Sequence, residues 1–440
     1  MKENQMKKRI LALLMTAVCG FSLAGCGGSA KNSGTASGNA GRDVKTIKLL
    51  NGKAEIAGQL KTLAQAYEKE TGVKVEVETP ESGTDLQALL KAYYLADTMP
   101  DIFVCEGNSF ENWAGLLADM SDQKWASNTD SAYVDDTYGT IGFPYATEAI
   151  GMTYNADILK KAGIDASKLT SPEAYHKAFE TLNSKKSELG LTAVVGYCAE
   201  QKNLGWSTGN HLFGVYLDEG LKRDDTSIID ELNDGGKYDE KRLKEYADFV
   251  GMLNKYSDPA LLTKGTYEQQ VRGFASGKYA FVTQGSWIGA LMTGDYKDDY
   301  KKGGNFTVGM APYAFEKGQD TILTSPPSWW AVLKEGNKDA AEAFLQWCSE
   351  DEAQKIFVEQ AGLVSSFKDC KYVADDPFAQ TMTDYIQAGK TSNWHWQNTK
   401  EGLGLNVVSL VYLEYAEGKL DANGFAKQME KVTSDFYKVK

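Results

Sequence analysis

Histidine, cysteine and arginine are all scarce in this 440-residue chain. Histidine occurs only at His176, His211 and His395, far apart in sequence, so neither a histidine metal centre nor histidine-based catalysis is expected. Cysteine stands at Cys19, Cys26, Cys105, Cys198, Cys348 and Cys370, with no pair at C-x-x-C spacing, which argues against a zinc site. No metal or cofactor is expected. Beyond Arg9, arginine stands only at Arg42, Arg223, Arg242 and Arg272. Bidentate recognition of phosphate or carboxylate relies on arginine, so an anionic ligand is disfavoured, although Lys53 or a helix N-terminus could still serve one. There is no P-loop, no G-x-S-x-G, no H-E-x-x-H, no fixed-period repeat, and no long apolar run after the first 25 residues. The formal charge of −13 excludes nucleic acid as an expected partner and favours solubility.

What is present begins at the N-terminus. Lys7, Lys8 and Arg9 precede an apolar stretch, Ile10 to Ala24, that ends in Leu23-Ala24-Gly25-Cys26. The stretch is too short to span a bilayer comfortably and reads as a cleaved signal over residues 1–25. Small residues before a cysteine are what lipoprotein processing requires, so Cys26 is the expected lipidation site. Residues 26–43, rich in Gly, Ser, Ala and Asn, form a lipidated N-terminus and polar tether. The expected location is the outer face of the cell membrane. Disulfides are chemically possible there, though spacing cannot pair them. Cys348 shares a helical face with Ala341, Phe344 and Leu345 and reads as a buried thiol.

The remaining length, near 400 residues, exceeds what one core usually holds, and two lobes are expected. A strand over Ile47–Leu50 leads into a helix with apolar residues at Ile56, Leu60, Leu63, Ala64 and Tyr67, closed by Thr71-Gly72. Val73, Val75 and Val77 alternate with charged residues as a half-buried strand; a helix near Leu86–Ala96 and a strand Ile102–Cys105 follow. This alternation predicts an α/β fold with parallel sheets flanked by helices, and ligands at the carboxyl ends of the strands, here Asn51–Glu55 and Glu106–Ser109. Further on, Ser171-Pro172 opens a helix, Asp218–Tyr238 reads as a polar surface excursion, Tyr279–Thr283 as a strand, and Ser349 with Glu352 as a capping box.

Several blocks in order resemble one family. They are Leu63 to Val75; Met99-Pro100-Asp101-Ile102-Phe103; Gly142-Phe143-Pro144-Tyr145 with Glu148 and Met152 to Gly163; Phe274 to Phe281 with Gly285-Ser286-Trp287; and Asp339 to Leu345. Together, over about residues 44–437, they resemble the extracellular solute-binding proteins of bacterial ABC importers, a family that includes maltose- and oligosaccharide-binding lipoproteins. The resemblance implies a two-lobed periplasmic-binding-protein-like fold with the ligand in the interlobe cleft. By analogy lobe 1 is 44–146 plus 312–363 and lobe 2 is 149–308 plus 367–440. It also implies a monomer that delivers its ligand to permease subunits and is not an enzyme. One departure is that the family's often Gly-rich stretch before the late helix is here Ser325-Pro326-Pro327-Ser328-Trp329-Trp330.

Sugars present weakly apolar C–H faces and hydroxyl edges, and an unpaired buried hydroxyl costs about 1–3 kcal/mol. A sugar cleft therefore combines aromatic platforms with carboxylates, amides and lysines. Trp206, in Gly-Trp-Ser-Thr-Gly-Asn, reads as a loop residue; Trp287 follows Gly-Ser at a helix start; Trp394 and Trp396 flank His395 in a polar loop, with at least one expected in the cleft. Trp329 and Trp330 alternate on a strand, so one of them can face the cleft, and Trp329 is carried as the candidate. Lys53, Glu55, Glu106, Tyr145 and Glu148, at strand ends or at the crossing, are the polar candidates; Glu55 could equally serve its helix N-terminus. The alternatives are a secreted glycoside hydrolase, which needs two carboxylates astride the scissile bond that no motif here supplies, and a binder of a non-sugar ligand.

Overall fold

The computed structural model describes residues 46–81 and 83–439. The signal segment, Cys26 and the tether lie outside these residues. The described chain opens with three parallel strands. Thr46–Leu50 pairs with Lys74–Glu78 on one side and Ile102–Cys105 on the other. Helix Ala57–Thr71 links the first two, burying Leu60, Leu63, Ala64 and Tyr67. It stops at Gly72, whose φ of 77° is a left-handed conformation that glycine adopts without a Cβ clash. A fourth strand, Trp329–Val332, arrives late in the chain and pairs antiparallel with Ile102–Cys105. Cores lie on both faces of this sheet: Leu60, Leu63, Trp330 and Phe344 on one, Phe103, Phe110, Trp113 and Trp329 on the other.

The second lobe is built on a sheet ordered Val308–Ala311, Met152–Asn155, Tyr279–Val282, Ala193–Gly196. Only the last pair is parallel. The expectation of a mostly parallel sheet in each lobe thus holds for the first lobe and fails for the second. The reason is connectivity: the chain enters at Met152 and leaves along Val308–Ala311, and entry and exit strands lie side by side in opposite directions. A small third sheet of Glu148–Ile150, Ile322–Ser325 and Thr391–Ser392 sits where the chain passes between lobes.

The packing redraws two expected boundaries. Tyr313, Phe315, Ile322 and Leu323, assigned above to the first lobe, pack in the core of the second with Tyr175, Phe249 and Phe281. Phe367, assigned to the second, packs against Phe143 in the first, with ring centroids 5.3 Å apart. Two local readings also change. The excursion at 218–238 contains a helix, Ser227–Asn233, that buries Ile229 and Leu232. Ser349 caps no helix; its hydroxyl donates to Gln346 O at 2.6 Å, and the next helix begins at Asp351. A capping box forms instead at Thr266 and Gln269. Cys105, Cys198 and Cys348 are buried free thiols, and Cys370 is a half-buried one.

Candidate functional site

An open cleft with about 230 Å³ of internal space lies between the lobes. Its first wall is made from the ends of the first-lobe strands. After Leu50 the backbone turns around Asn51, whose amide donates to Lys53 O at 2.7 Å and accepts from Lys53 N at 3.2 Å. This pins Lys53 with its ammonium against Glu148 Oε1, in an ion pair whose members are both buried. Burial works against the Lys53 charge, but Glu148 and then Glu55 outweigh it, and the ammonium is held above its usual range. Burial raises the Glu148 carboxyl above its usual range, and Lys53 opposes that rise. Tyr145 stacks on Trp330 at 4.8 Å, and its hydroxyl lies 2.8 Å from Ser328 Oγ. Glu106 directly follows strand Ile102–Cys105. Burial, then the nearby charges of Asp85 and Glu401, raise its carboxyl to about 7. Its side chain has no hydrogen-bond or ion-pair partner among the described residues.

The opposing wall is aromatic. Helix Gln201–Trp206 runs into a wider π-helical turn, Ser207–Leu212, a feature that often marks functional sites. It presents Trp206 and His211, with ring centroids 5.3 Å apart. His211 also lies 4.7 Å from Trp287 and 5.6 Å from Trp396. Burial, with a smaller contribution from Lys53, lowers His211 to about 3, so the imidazole is neutral. Trp287 donates from Nε1 to Gln284 Oε1 at 2.9 Å, and Gln284 is held in turn by Gln270 and Ser207. Ser286 does not cap the helix that follows; its hydroxyl accepts from Ala149 N at 3.0 Å, tying Trp287 to the strand at the crossing. The lobes also meet across the cleft. Tyr267 donates to Glu55 at 3.3 Å, and Glu401 accepts from Lys91 and Asn112 at 3.1 and 2.5 Å.

Of the residues singled out from sequence, Lys53, Glu55, Glu106, Tyr145, Glu148, Trp206, Trp287 and Trp396 line this cleft. Trp329 does not. Its ring packs against Phe110 and Tyr133, and its Nε1 donates to Ser131 O at 2.7 Å, because its sheet is covered on both faces and leaves no open side. Trp394 does not line it either; it is buried behind His211, with ring centroids 5.5 Å apart. The loop readings are corrected too. Trp206 ends a helix, and residues after Trp394 form a short helical turn in which His395 binds Asp218 through Nδ1 at 2.5 Å. Sequence reasoning missed His211, Asn210, Asp85, Gln87 and Ser328, all of which line the cleft. His211 is five residues from Trp206, a spacing that a π-helical turn brings to one side, and that spacing was the only local signal.

The family profile described as "Bacterial extracellular solute-binding protein" matches residues 62–387. The diacetylchitobiose binding protein DasA of Streptomyces coelicolor is 25% identical over 373 residues, 82% of each chain. The sn-glycerol-3-phosphate-binding periplasmic protein UgpB of Brucella melitensis is 26% identical over 237 residues, 52% of this chain and 50% of that one. The match therefore spans about half the length of this second relative. A solved chitin oligosaccharide binding protein shares the fold, with a TM-score of 0.72 at 20% identity over 90% of this chain and all of the other. With two lobes, a cleft between them and a profile match over most of its length, the chain belongs to the bacterial extracellular solute-binding proteins.

Proposed function

We propose that the protein captures a carbohydrate of oligosaccharide size in the interlobe cleft and delivers it to the permease subunits of an ABC importer. The observation that carries this reading is the pairing of unlike walls. Rings of Trp206, Trp287, Trp396 and His211 face carboxylates and amides supplied by the first lobe. Flat indole faces suit the C–H surfaces of a pyranose, and Glu55, Glu106, Asn210 and Ser328 suit its hydroxyl edges. A phosphorylated ligand such as that of the glycerol-phosphate-binding relative is disfavoured, since no arginine lines the cleft and Lys53 is already paired.

No helix among the described residues is long and apolar enough to cross a membrane. The reading also includes a monomer anchored by a lipid on Cys26, the anchor resting on the Leu-Ala-Gly-Cys sequence alone. Cys26→Ala should release the protein from membranes and leave ligand affinity unchanged. The test of function is a thermal-shift screen over mono- and oligosaccharides followed by calorimetric titration. One oligosaccharide should stabilise the protein saturably and be recovered intact after incubation. Failure of all sugars, or appearance of shorter products, would overturn the reading.

A further inference from the structure

The cleft is unevenly charged. Among the described residues Lys53 is the sole cation lining it, and Lys53 is committed to Glu148. Glu55, Glu81, Asp85 and Glu106 line the same space. Asp85 caps the helix Leu86–Leu95, accepting from Ala88 N at 2.9 Å, and Glu55 accepts one long bond from Tyr267. The carboxylates of Glu81 and Glu106 have no protein partner among the described residues. His211 does not offset them, because it is neutral. Opposite stand the Trp206, Trp287 and Trp396 rings, whose faces are themselves electronegative and attract cations. A separate observation points the same way. Asn210 is only 8% exposed and lines the cleft, and its side-chain amide makes no hydrogen bond within the described protein, which leaves it open to a polar group of the ligand.

Glu81 and Asp85 are exposed, but a neutral sugar would leave the half-buried Glu55 and Glu106 without a counter-charge as the site dries, and a phosphate would add to the repulsion. We propose that the ligand carries a protonated amine, as an amino sugar or amino-oligosaccharide does, held between the Glu106 carboxylate and the indole faces with a hydroxyl on Asn210. Burial first, and then the like charges of Asp85 and Glu401, raise the Glu106 carboxyl, which fits a site short of positive charge. This inference rests on the carbohydrate reading above and narrows it to a chemical class.

The test is calorimetric titration with glucosamine oligomers of two to four units, beside the same oligomers fully N-acetylated and sn-glycerol 3-phosphate. At pH 7 and low salt the free-amine oligomers should bind about tenfold more tightly than the acetylated ones, and the phosphate should not bind. The preference should shrink severalfold between about 20 mM and 500 mM sodium chloride. In Glu106→Gln the two oligomer series should bind within about twofold of each other. Glu106 is half-buried and burial disfavours its charge, so that variant should melt no lower than the parent, which verifies that it folds. Equal or tighter binding of the acetylated oligomers overturns the inference and leaves the carbohydrate reading standing. Binding of neither series overturns both. A free-amine preference that Glu106→Gln leaves intact overturns the placement of the cation.

Discussion

The two walls of the cleft are built by different means. The first-lobe wall comes from the ends of parallel strands: Lys53 and Glu55 follow Thr46–Leu50, and Glu106 follows Ile102–Cys105. Each side chain is placed by a strand a few residues away. The second-lobe wall comes from helical segments far apart in sequence, packed ring on ring. Its frame is the contact of two π-helical turns, Ser207–Leu212 and Leu403–Val408, close enough that a Cβ on Gly209 would sit 2.0 Å from Gly404 O. The difference teaches that charge here is a local property of strand ends, while the aromatic surface is a tertiary product that stands or falls as a unit.

That contrast can be broken from either side. The largest expected effect is at Lys53. Lys53→Met leaves Glu148 buried without its partner and should cost about 3–5 kcal/mol in denaturant unfolding. An effect below about 1 kcal/mol would mean that solvent, not Lys53, serves Glu148. Next is Gly209→Ala, which should cost about 1–3 kcal/mol by forcing the two turns apart, and should weaken ligand binding although residue 209 does not line the cleft. Loss of stability with unchanged affinity would show that the aromatic wall does not move as a unit. A smaller effect is the pH response of Glu106. Its carboxyl is raised from 4.5 to about 7 by burial and by Asp85 and Glu401, so the folded protein holds that proton more tightly than the unfolded chain. Unfolding then releases a proton between these values, and this residue's contribution to stability declines as pH rises through the window. Glu106→Gln should accordingly melt with the parent near pH 5 and above it at pH 8; equal melting at both would contradict the shift. The smallest effect is at Trp329, where Trp329→Phe should cost stability and leave affinity within about twofold, because the ring belongs to the first-lobe core.

The same division explains what could be read from sequence. Strand-end residues were legible because Thr46–Leu50 and Ile102–Cys105 carry clear apolar patterns, and their final residues fix where the next side chains lie. The five polar or charged candidates, at strand ends or at the crossing, all line the cleft, and so do three of the five tryptophans, which were singled out because they lie outside apolar stripes. The aromatic wall was less legible. Gly205, Ser207, Thr208, Gly209 and Asn210 have the composition of a turn, yet they form a helix in which small residues serve close packing: a Cβ on Gly205 would lie 3.3 Å from Leu405. His211 gave little signal because three of its four aromatic neighbours, Trp287, Trp394 and Trp396, are remote in the chain. Trp329 was misplaced because alternation on a strand identifies two faces and cannot say that both are covered.

Trp206 offers the most direct measurement. It lines the cleft, is only partly buried, and fastens its Nε1 to Asn203 O at 3.1 Å, so its removal changes the aromatic surface more than the core. Calorimetric titration of parent and Trp206→Ala with the tightest-binding oligosaccharide, beside their melting curves, isolates that surface. A loss of about tenfold or more in affinity with a nearly unchanged melting temperature is the predicted result. Unchanged affinity in a folded Trp206→Ala protein would contradict the claim that this aromatic wall binds the ligand.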